Sequence, residues 1–355
     1  MDPSQYVPAY LEHCYLREHA DLTDAARALV HDQISLDAER YATTPHAQAL
    51  VSYMRVHAAL MSGLFRMEEL PDDEFERERI KLFSQTRKQL HAIVQQDERC
   101  IDAQLVSIQL ADVPLDACLS DMLQLEQRTR TYLLETRPGF DPEVDGLWRV
   151  DAADEQDGAG SQDVASELDT LDSATCTMCD PDVIGWLHTV EALAQGCIFT
   201  ARYRAAAQYA RMVMRAKGYP NLAVGTLLLA LARLEDEDAF FEAAREAGEG
   251  TEDLPWFLLG RTLLLYKLGQ KRSARRALRD FANRCDGGAF FLLNPTFHNP
   301  YLPVRPAVGE AWELTHQAVW EADGIISDTP DFAAWAEGVE GIREISEDFA
   351  LRHGF

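Results

Sequence analysis

The chain has 355 residues, and 47% of them are hydrophobic, which is enough apolar surface to build a sizeable core. Its 33 basic and 59 acidic side chains give a formal net charge of −26. This charge repels nucleic-acid phosphates and anionic membranes, so we expect neither nucleic acid nor membrane as a partner.

Several features predict a cytoplasmic protein. The first ten residues are polar and carry two prolines, so no secretory signal is expected. The best apolar run, 222–232, is shorter than the roughly 20 residues that span a membrane. The seven cysteines are scattered and odd in number, which is typical of reduced thiols rather than of a disulfide framework.

Residues 1–140 form a predicted amino-terminal helical region. Apolar positions recur there at three- and four-residue steps, as on one face of a helix. The predicted helices are 22–42, 46–67, 74–96, 97–110 and 115–135. Pro45, Pro71 and Pro114 mark boundaries, because proline lacks an amide hydrogen and its ring clashes with the preceding turn. No segment alternates with a period of two residues, so no sheet is predicted.

Residues 141–182 have a different composition. They hold 13 acidic residues against one basic residue, Arg149. The centre of the segment, 151–161, shows no apolar period. Such a stretch buries too little surface to offset its ordering entropy, so we predict an acidic flexible linker or loop.

A period of 34 residues marks 183–286. Four series of positions share it: Tyr203, Glu237 and Lys271; Ala206, Phe240 and Ala274; Ala210, Ala244 and Leu278; Val213, Ala247 and Phe281. This spacing is typical of the tetratricopeptide repeat (TPR), a helix-turn-helix unit that stacks into a superhelix. It predicts three TPR-like units, 183–200 with 203–217, 222–234 with 238–247, and 255–268 with 273–284. The predicted fold class is therefore all-α, with an antiparallel helix-pair solenoid.

Two further segments follow the repeats. Residues 287–308 are rich in proline and aromatic residues, which forbids a continuous helix across 290–306 and predicts an extended strap packed on the solenoid. Residues 309–355 are predicted to form capping helices at 309–323 and 331–351. Their expected anchors are Trp312, Trp320, Phe332 and Trp335.

The third unit carries residues of the TPR consensus. Trp256-Phe-Leu-Leu-Gly260 matches the Trp-x-x-Leu-Gly opening, and Gly269 and Ala274 keep the spacing from turn to alanine. The first helix of this unit is two residues longer than the consensus. In the first two units only the apolar pattern matches.

A longer order of motifs resembles the bacterial branch of the suppressor of tumorigenicity seven family. It consists of Trp256 and the segments 261–269, 273–277 and 299–303, and the resemblance extends over about 97–311. The resemblance implies a helical-repeat fold with no assigned chemistry or catalytic residues. The acidic stretch 151–172 and a longer Asn-Pro segment depart from the family pattern.

Cys176-Thr-Met-Cys179 is the one arrangement with the spacing of a metal or redox site. A zinc site needs two more ligands, for which His188 and Cys197 are the nearest candidates. A redox switch needs a helix start that lowers the thiol pKa, and no strand precedes the pair. We favour two incidental cysteines, with a metal site or a redox switch as alternatives, and expect no cofactor and no catalytic residue.

Two sets of residues are candidates for partner binding. The basic face of the last predicted helix comprises Lys271, Arg272, Arg275, Arg276 and Arg279, which lie three and four residues apart. It is a solvated surface, a dock for an acidic partner, or a dock for the acidic linker. The first helices of the units, here called the A helices, normally line the concave groove of a solenoid. On that side we predict contacts from Arg202, Asn221, Arg233 and Arg261.

These patterns predict a non-enzymatic protein-interaction scaffold or adaptor. It would bind a peptide or helix of a partner protein in the groove of the repeats. The alternative is an enzyme or small-ligand sensor with a pocket between the amino-terminal helices and the repeats. A structural subunit with an oligomer interface is a third possibility.

Overall fold

A computed structural model describes residues 1–19, 21–67, 70–137, 139–144, 180–296, 298 and 300–355. Helices are its regular elements and it has no β-strand within these ranges, so the all-α prediction is confirmed. None of the helices in the described ranges is long and apolar enough to cross a membrane.

The chain divides into two compact units. The first comprises Met1–Val190, Arg215–Pro220 and Leu302–Val304. The second comprises Glu191–Met214, Asn221–Tyr301 and Arg305–Phe355. The finer five-part division of the sequence stays a prediction.

The first unit contains long amphipathic helices. They are α1 (Pro3–Glu18), α2 (Asp24–Leu36), α3 (Pro45–Met67), α4 (Asp72–Gln96), α5 (Ile101–Gln109) and α6 (Leu115–Thr136), followed by α7 (Pro181–Phe199), which continues past the unit boundary. The predicted helix 22–42 is interrupted, because Asp37 leaves the helical conformation before a short 3₁₀ turn at Ala38–Tyr41. The core of the unit is apolar, with Leu50, Leu60 and Leu90 almost completely buried.

Helix α1 is not among the helices predicted from the sequence. Its start is nevertheless well specified: Asp2 caps the helix, Gln5 returns the capping-box hydrogen bond, and Pro3 occupies the first turn. Proline is favoured there because the first amides of a helix have no intrahelical acceptor. The helix tolerates Pro8 and buries Tyr6 and Val7.

The second unit contains the rest of the predicted repeats and the carboxy-terminal segment. Its helices are α8 (Tyr203–Met214), α9 (Ala223–Leu234), α10 (Glu237–Glu246), α11 (Pro255–Lys267), α12 (Lys271–Arg284), α13 (Gly288–Leu293), α14 (Ala311–Ser327), α15 (Phe332–Glu337) and α16 (Ile342–His353). In the repeat segment, helices α8 to α12 each begin and end within a few residues of their predicted bounds. Gly269 has a positive φ of 75° and forms the tight turn between α11 and α12.

Two predictions for the carboxy-terminal segment need correction. The predicted strap, 287–308, begins as helix α13, because its first residues lack proline and bury Phe291 and Leu292. The predicted helix 331–351 is divided into α15 and α16, where Gly341 adopts a positive φ of 90°. Beyond Asn294 the described part of the strap is not helical until α14 begins.

Candidate protein-interaction surface

The A helices α9 and α11 pack against α14 within the second unit. Trp256 of α11 is completely buried, and its indole N–H donates a hydrogen bond to Glu321 Oε2 of α14 at 2.8 Å. Gly225 of α9 leaves room for the Trp256 ring of α11, since a Cβ atom at this position would lie 2.6 Å from that ring. The A-helix face of α9 and α11 is therefore covered by a helix of the same chain.

Glu321 is the centre of this contact and is 2% exposed. Its Oε1 atom accepts hydrogen bonds from Tyr301 Oη at 2.9 Å and from Arg305 Nε at 2.8 Å. Its Oε2 atom accepts from Arg305 Nη2 at 2.8 Å in addition to the indole. The Arg305 guanidinium also lies over the Trp256 ring, 4.7 Å from its centroid. Both carboxylate oxygens thus accept hydrogen bonds. This arrangement is typical of an acid that stabilises the packing rather than of a reactive acid.

The electrostatics of this contact favour the charged pair. Burial opposes the charge on Arg305, but the carboxylate of Glu321 outweighs it and raises the pKa of Arg305 above its ordinary value. Burial and the same carboxylate raise the pKa of Tyr301. Both groups therefore stay protonated and keep donating to Glu321 at neutral pH.

Two of the three groove arginines predicted from the sequence, Arg233 and Arg261, have intramolecular partners. Arg233 lies 3.6 Å from Asp328 and over the ring of Tyr203. Arg261 forms an ion pair with Asp280 at 2.6 Å, on the neighbouring helix α12. The two side chains thus have different partners, and those contacts do not bring them together at one site.

The other two groove residues lie at helix boundaries. Arg202 is exposed in the turn before α8, and its backbone amide donates to the Cys197 carbonyl at 2.7 Å. The Asn221 side chain accepts from the Ala223 amide at 3.0 Å in a local turn before α9, whose N-cap residue is Leu222. Asn221 thus has a local structural role that its predicted role in binding did not include.

The basic face of α12 is exposed, as its apolar residues pack inward. Ala274, Leu278 and Phe281 are buried on the opposite side of the helix. At the two ends of the basic face the charges are engaged: Lys271 lies over the Tyr266 ring, and Arg279 lies 3.4 Å from Glu340. All five predicted residues therefore lie on one surface of α12. The two outer ones, Lys271 and Arg279, contact other side chains.

The centre of the basic face consists of Arg272, Arg275 and Arg276. All three are exposed, and none forms an ion pair with another residue in the described part of the chain. The next arginine along the helix, Arg284, does pair with Asp253. The centre is thus a cationic surface that no ion pair within the described residues neutralises.

The first unit contains two buried networks of charged side chains that were not predicted from the sequence. His188 Nδ1 lies 2.9 Å from Asp102, which also accepts from Tyr6 Oη at 2.7 Å. Burial opposes ionisation of Asp102, but His188 and Tyr6 together hold its pKa below the ordinary value. His188 was considered above only as a zinc ligand, and this contact gives it a structural role in the core.

The second network surrounds Asp182. Its Oδ2 atom accepts from Arg99 at 2.5 Å and from Arg137 at 2.8 Å. Within the described residues its Oδ1 atom has no hydrogen-bond partner and lies 3.9 Å from His46 Nε2, which also has none there. Burial and the nearby Asp180 raise the pKa of Asp182, while Arg99 opposes the shift. This carboxylate is therefore only partly satisfied.

Two predictions fall outside the described residues: the Cys176 and Cys179 pair, and docking of the acidic linker on the basic face. Within the described ranges, no group of three or more His, Cys, Asp or Glu side chains could hold a metal ion. Sequence reasoning missed the Glu321 contact, because its members lie up to 65 positions apart and follow no local pattern.

Comparison with protein-family models finds no match to this chain. The search of curated proteins finds no match. No solved structure matches either. The functional argument therefore rests on the residues of this chain.

Proposed function

We propose that the chain is a non-enzymatic scaffold or adaptor of TPR-like helical-repeat type that acts in the cytoplasm. It binds an acidic segment of a partner protein along the basic face of α12. The order of motifs shared with the suppressor of tumorigenicity seven family supports the repeat architecture, and that family supplies no catalytic residue to look for.

One observation carries the proposal: Arg272, Arg275 and Arg276 are exposed and unpaired among the described residues of a chain with a net charge of −26. A chain so rich in acid has many side chains that could neutralise a basic stripe. Because no ion pair among the described residues compensates these three charges, the stripe attracts acidic ligands at short range even though the whole molecule repels them.

The spacing of the stripe suits a peptide. From Arg272 to Arg279 the helix rises about 10 Å, at about 1.5 Å per residue. An extended chain covers this distance in about three residues. A segment with acidic side chains two to four residues apart can therefore contact several of these arginines at once, and guanidinium groups bind carboxylates in a bidentate geometry.

The covered A-helix face is the reason that we propose binding on α12 rather than in the groove predicted from the sequence. Helix α14 packs against the A helices α9 and α11, and Glu321 is its central contact. This face is suited to an amphipathic helix with a buried acid, and the chain supplies that helix itself. A partner therefore docks on α12 while α14 stays in place.

The test is a fluorescence-anisotropy titration of the full chain with a labelled twelve-residue peptide of alternating glutamate and serine. The variant Arg272→Gln/Arg275→Gln/Arg276→Gln loses three exposed ion pairs of roughly 0.2–1 kcal/mol each. We expect the Kd of the peptide to rise about 5- to 30-fold.

The matched control is Arg66→Gln/Arg77→Gln/Arg128→Gln, which removes the same charge from exposed positions of the first unit. It should leave the Kd nearly unchanged. Equal weakening by both variants would reduce the effect to net charge and refute the site. Tighter binding of a single-stranded oligonucleotide than of the peptide would assign the face to nucleic acid instead.

A further inference from the structure

A cavity of about 200 Å³ lies in the second unit, beside α14 and the carboxyl end of α13. Three rings form part of its wall, those of Phe291, His316 and Trp320. Asp323, one turn beyond Trp320 on α14, also lines it. The cavity is smaller than the about 300–1,000 Å³ typical of sites for drug-sized ligands, so it suits a headgroup rather than a whole nucleotide or peptide.

The rings of the cavity are held by their neighbours. The His316 ring stacks on Phe291, with centroids 4.4 Å apart and planes 14° apart. The Trp320 ring lies 4.8 Å from Phe199 and 5.1 Å from Tyr301. These contacts fix the aromatic wall before a ligand arrives, so binding does not have to order these side chains.

The charges at the cavity favour a cation. Asp323 is exposed and is the one charged residue among the described lining residues. Burial, with a contribution from the nearby His298, lowers the pKa of His316 to about 4. His316 is therefore neutral at pH 7, and Thr296 Oγ1 lies 2.8 Å from its Nε2 atom. A cation would thus meet aromatic surface and one carboxylate.

We propose that this cavity binds a methylated organic ammonium group, with the Trp320 wall contacting the methyl groups and Asp323 supplying the counter-charge. Aromatic faces attract cations through the ring quadrupole, and tryptophan does so best. A methylated ammonium suits the cavity better than a primary amine, which would lose its water without gaining enough acceptors. This site is separate from the basic face and does not depend on the proposed peptide binding.

The test uses the full chain and two ligands of equal shape. Choline carries the charge, and 3,3-dimethylbutan-1-ol replaces its nitrogen with carbon. In ligand-observed NMR titrations, choline should bind about 3- to 30-fold more tightly than the neutral alcohol. Equal binding of the two would show a merely apolar cavity and overturn the proposal. Absence of binding both of choline at 20 mM, a concentration about twentyfold above a Kd of 1 mM, and of the trimethyl-lysine peptide described below would also overturn it.

Two variants locate the binding. Asp323→Asn should weaken choline binding several-fold, whereas Asp331→Asn, the same change at an exposed residue outside the cavity lining, should not. Trp320→Phe should weaken it further, and Trp335→Phe serves as its control, because Trp335 packs on Tyr266 and Phe332 outside the cavity lining. Because Asp323 is exposed, its variant keeps the test valid even if the tryptophan variant folds poorly. Equal effects of a variant and its control would refute the site.

A second binding experiment distinguishes a modified protein from a small molecule as the source of the ammonium group. A short peptide with one trimethyl-lysine presents the same headgroup on a chain, and choline presents it on a small molecule. Binding of both with similar Kd values supports recognition of the headgroup alone. Peptide binding that is lost when the lysine is unmethylated, while choline does not bind, assigns the site to a modified protein and overturns the small-molecule source.

Discussion

Glu321 in the second unit and Asp182 in the first are both buried acids, but they are held differently. Both oxygens of Glu321 accept hydrogen bonds, two of them from Arg305. In the described part of the chain only one oxygen of Asp182 does so, and Oδ1 lies 3.9 Å from His46 Nε2 without a hydrogen-bond partner there. A buried acid holds its neighbours more firmly when both of its oxygens accept hydrogen bonds.

This difference has a structural consequence in the second unit. The donors to Glu321 come from Gln195 of α7, from Trp256 of α11, and from Tyr301 and Arg305 of the strap segment. A single carboxylate therefore joins α7, an A helix and the strap segment to α14. Removing that carboxylate would leave several buried donors without an acceptor at once. The A-helix face is thus closed by polar contacts as well as by apolar packing.

The largest effect is expected for Glu321→Gln. The amide nitrogen would face donors from Arg305 or Trp256, and the buried guanidinium would lose its counter-charge. We expect a loss of about 3 kcal/mol in the free energy of unfolding, measured by urea denaturation. The exposed Glu347→Gln on α16 is the control and should stay within about 0.5 kcal/mol of the parent. A loss at position 321 as small as that of the control would show that Glu321 does not lock α14.

Asp102→Asn should have the next largest effect, and it should depend on pH. The asparagine can no longer accept equally from Tyr6 and His188, which costs about 2 kcal/mol at pH 7. Because the folded pKa of Asp102 lies below its ordinary value, its stabilisation is present above about pH 4 and is lost as the pH falls further. Urea titrations should show nearly the same difference between parent and variant at pH 7 and pH 5, and a smaller difference at pH 3.5. A cost that is the same at all three pH values would contradict this account.

A smaller effect is expected for Asp182→Asn. The amide nitrogen can take the place of the unpartnered Oδ1 and donate towards His46, while the amide oxygen keeps accepting from Arg99 and Arg137. We expect a change of about 1 kcal/mol or less. The raised pKa of Asp182 means that ionisation opposes folding, so the variant should gain relative to the parent as the pH rises. A loss equal to that of Glu321→Gln would remove the contrast between the two acids.

The smallest effect on stability is expected for Arg272→Gln/Arg275→Gln/Arg276→Gln. These side chains are exposed and have no partner in the described residues to lose. The free energy of unfolding, measured by thermal denaturation, should therefore change by no more than about 0.5 kcal/mol. A large destabilisation would give the basic face a structural role and leave the binding experiment uninterpretable as evidence of a dock.

Much of the helical pattern was predictable because it is local. The turn at Gly269, the buried Trp256 and the bounds of α11 follow from glycine after a helix and from apolar periodicity. Helix α1 was missed since two prolines in its sequence suggest a loop, whereas Pro3 lies where a helix start accommodates proline. Helix α13 was missed because glycines before it suggested the end of structure.

The covering of the A-helix face was not predictable from the sequence. Glu321 looks like any acid on an amphipathic helix, and only the folded chain places it against Trp256, 65 positions away. The same holds for the cavity, since Phe291 and Trp320 lie on helices separated by the strap. The local sequence pattern predicts which residues are buried, but not which of the buried residues contact one another.

The proposed docking of an acidic peptide on α12 can be tested most directly by zero-length carbodiimide coupling, because the chain has few amines. Its lysines are Lys81, Lys88, Lys217, Lys267 and Lys271. Mass spectrometry of the coupled product should find the acidic peptide on Lys271, with coupling reduced in the triple arginine variant. Coupling mainly at the exposed Lys81 or Lys88 of the first unit, unaffected by that variant, would contradict the proposal.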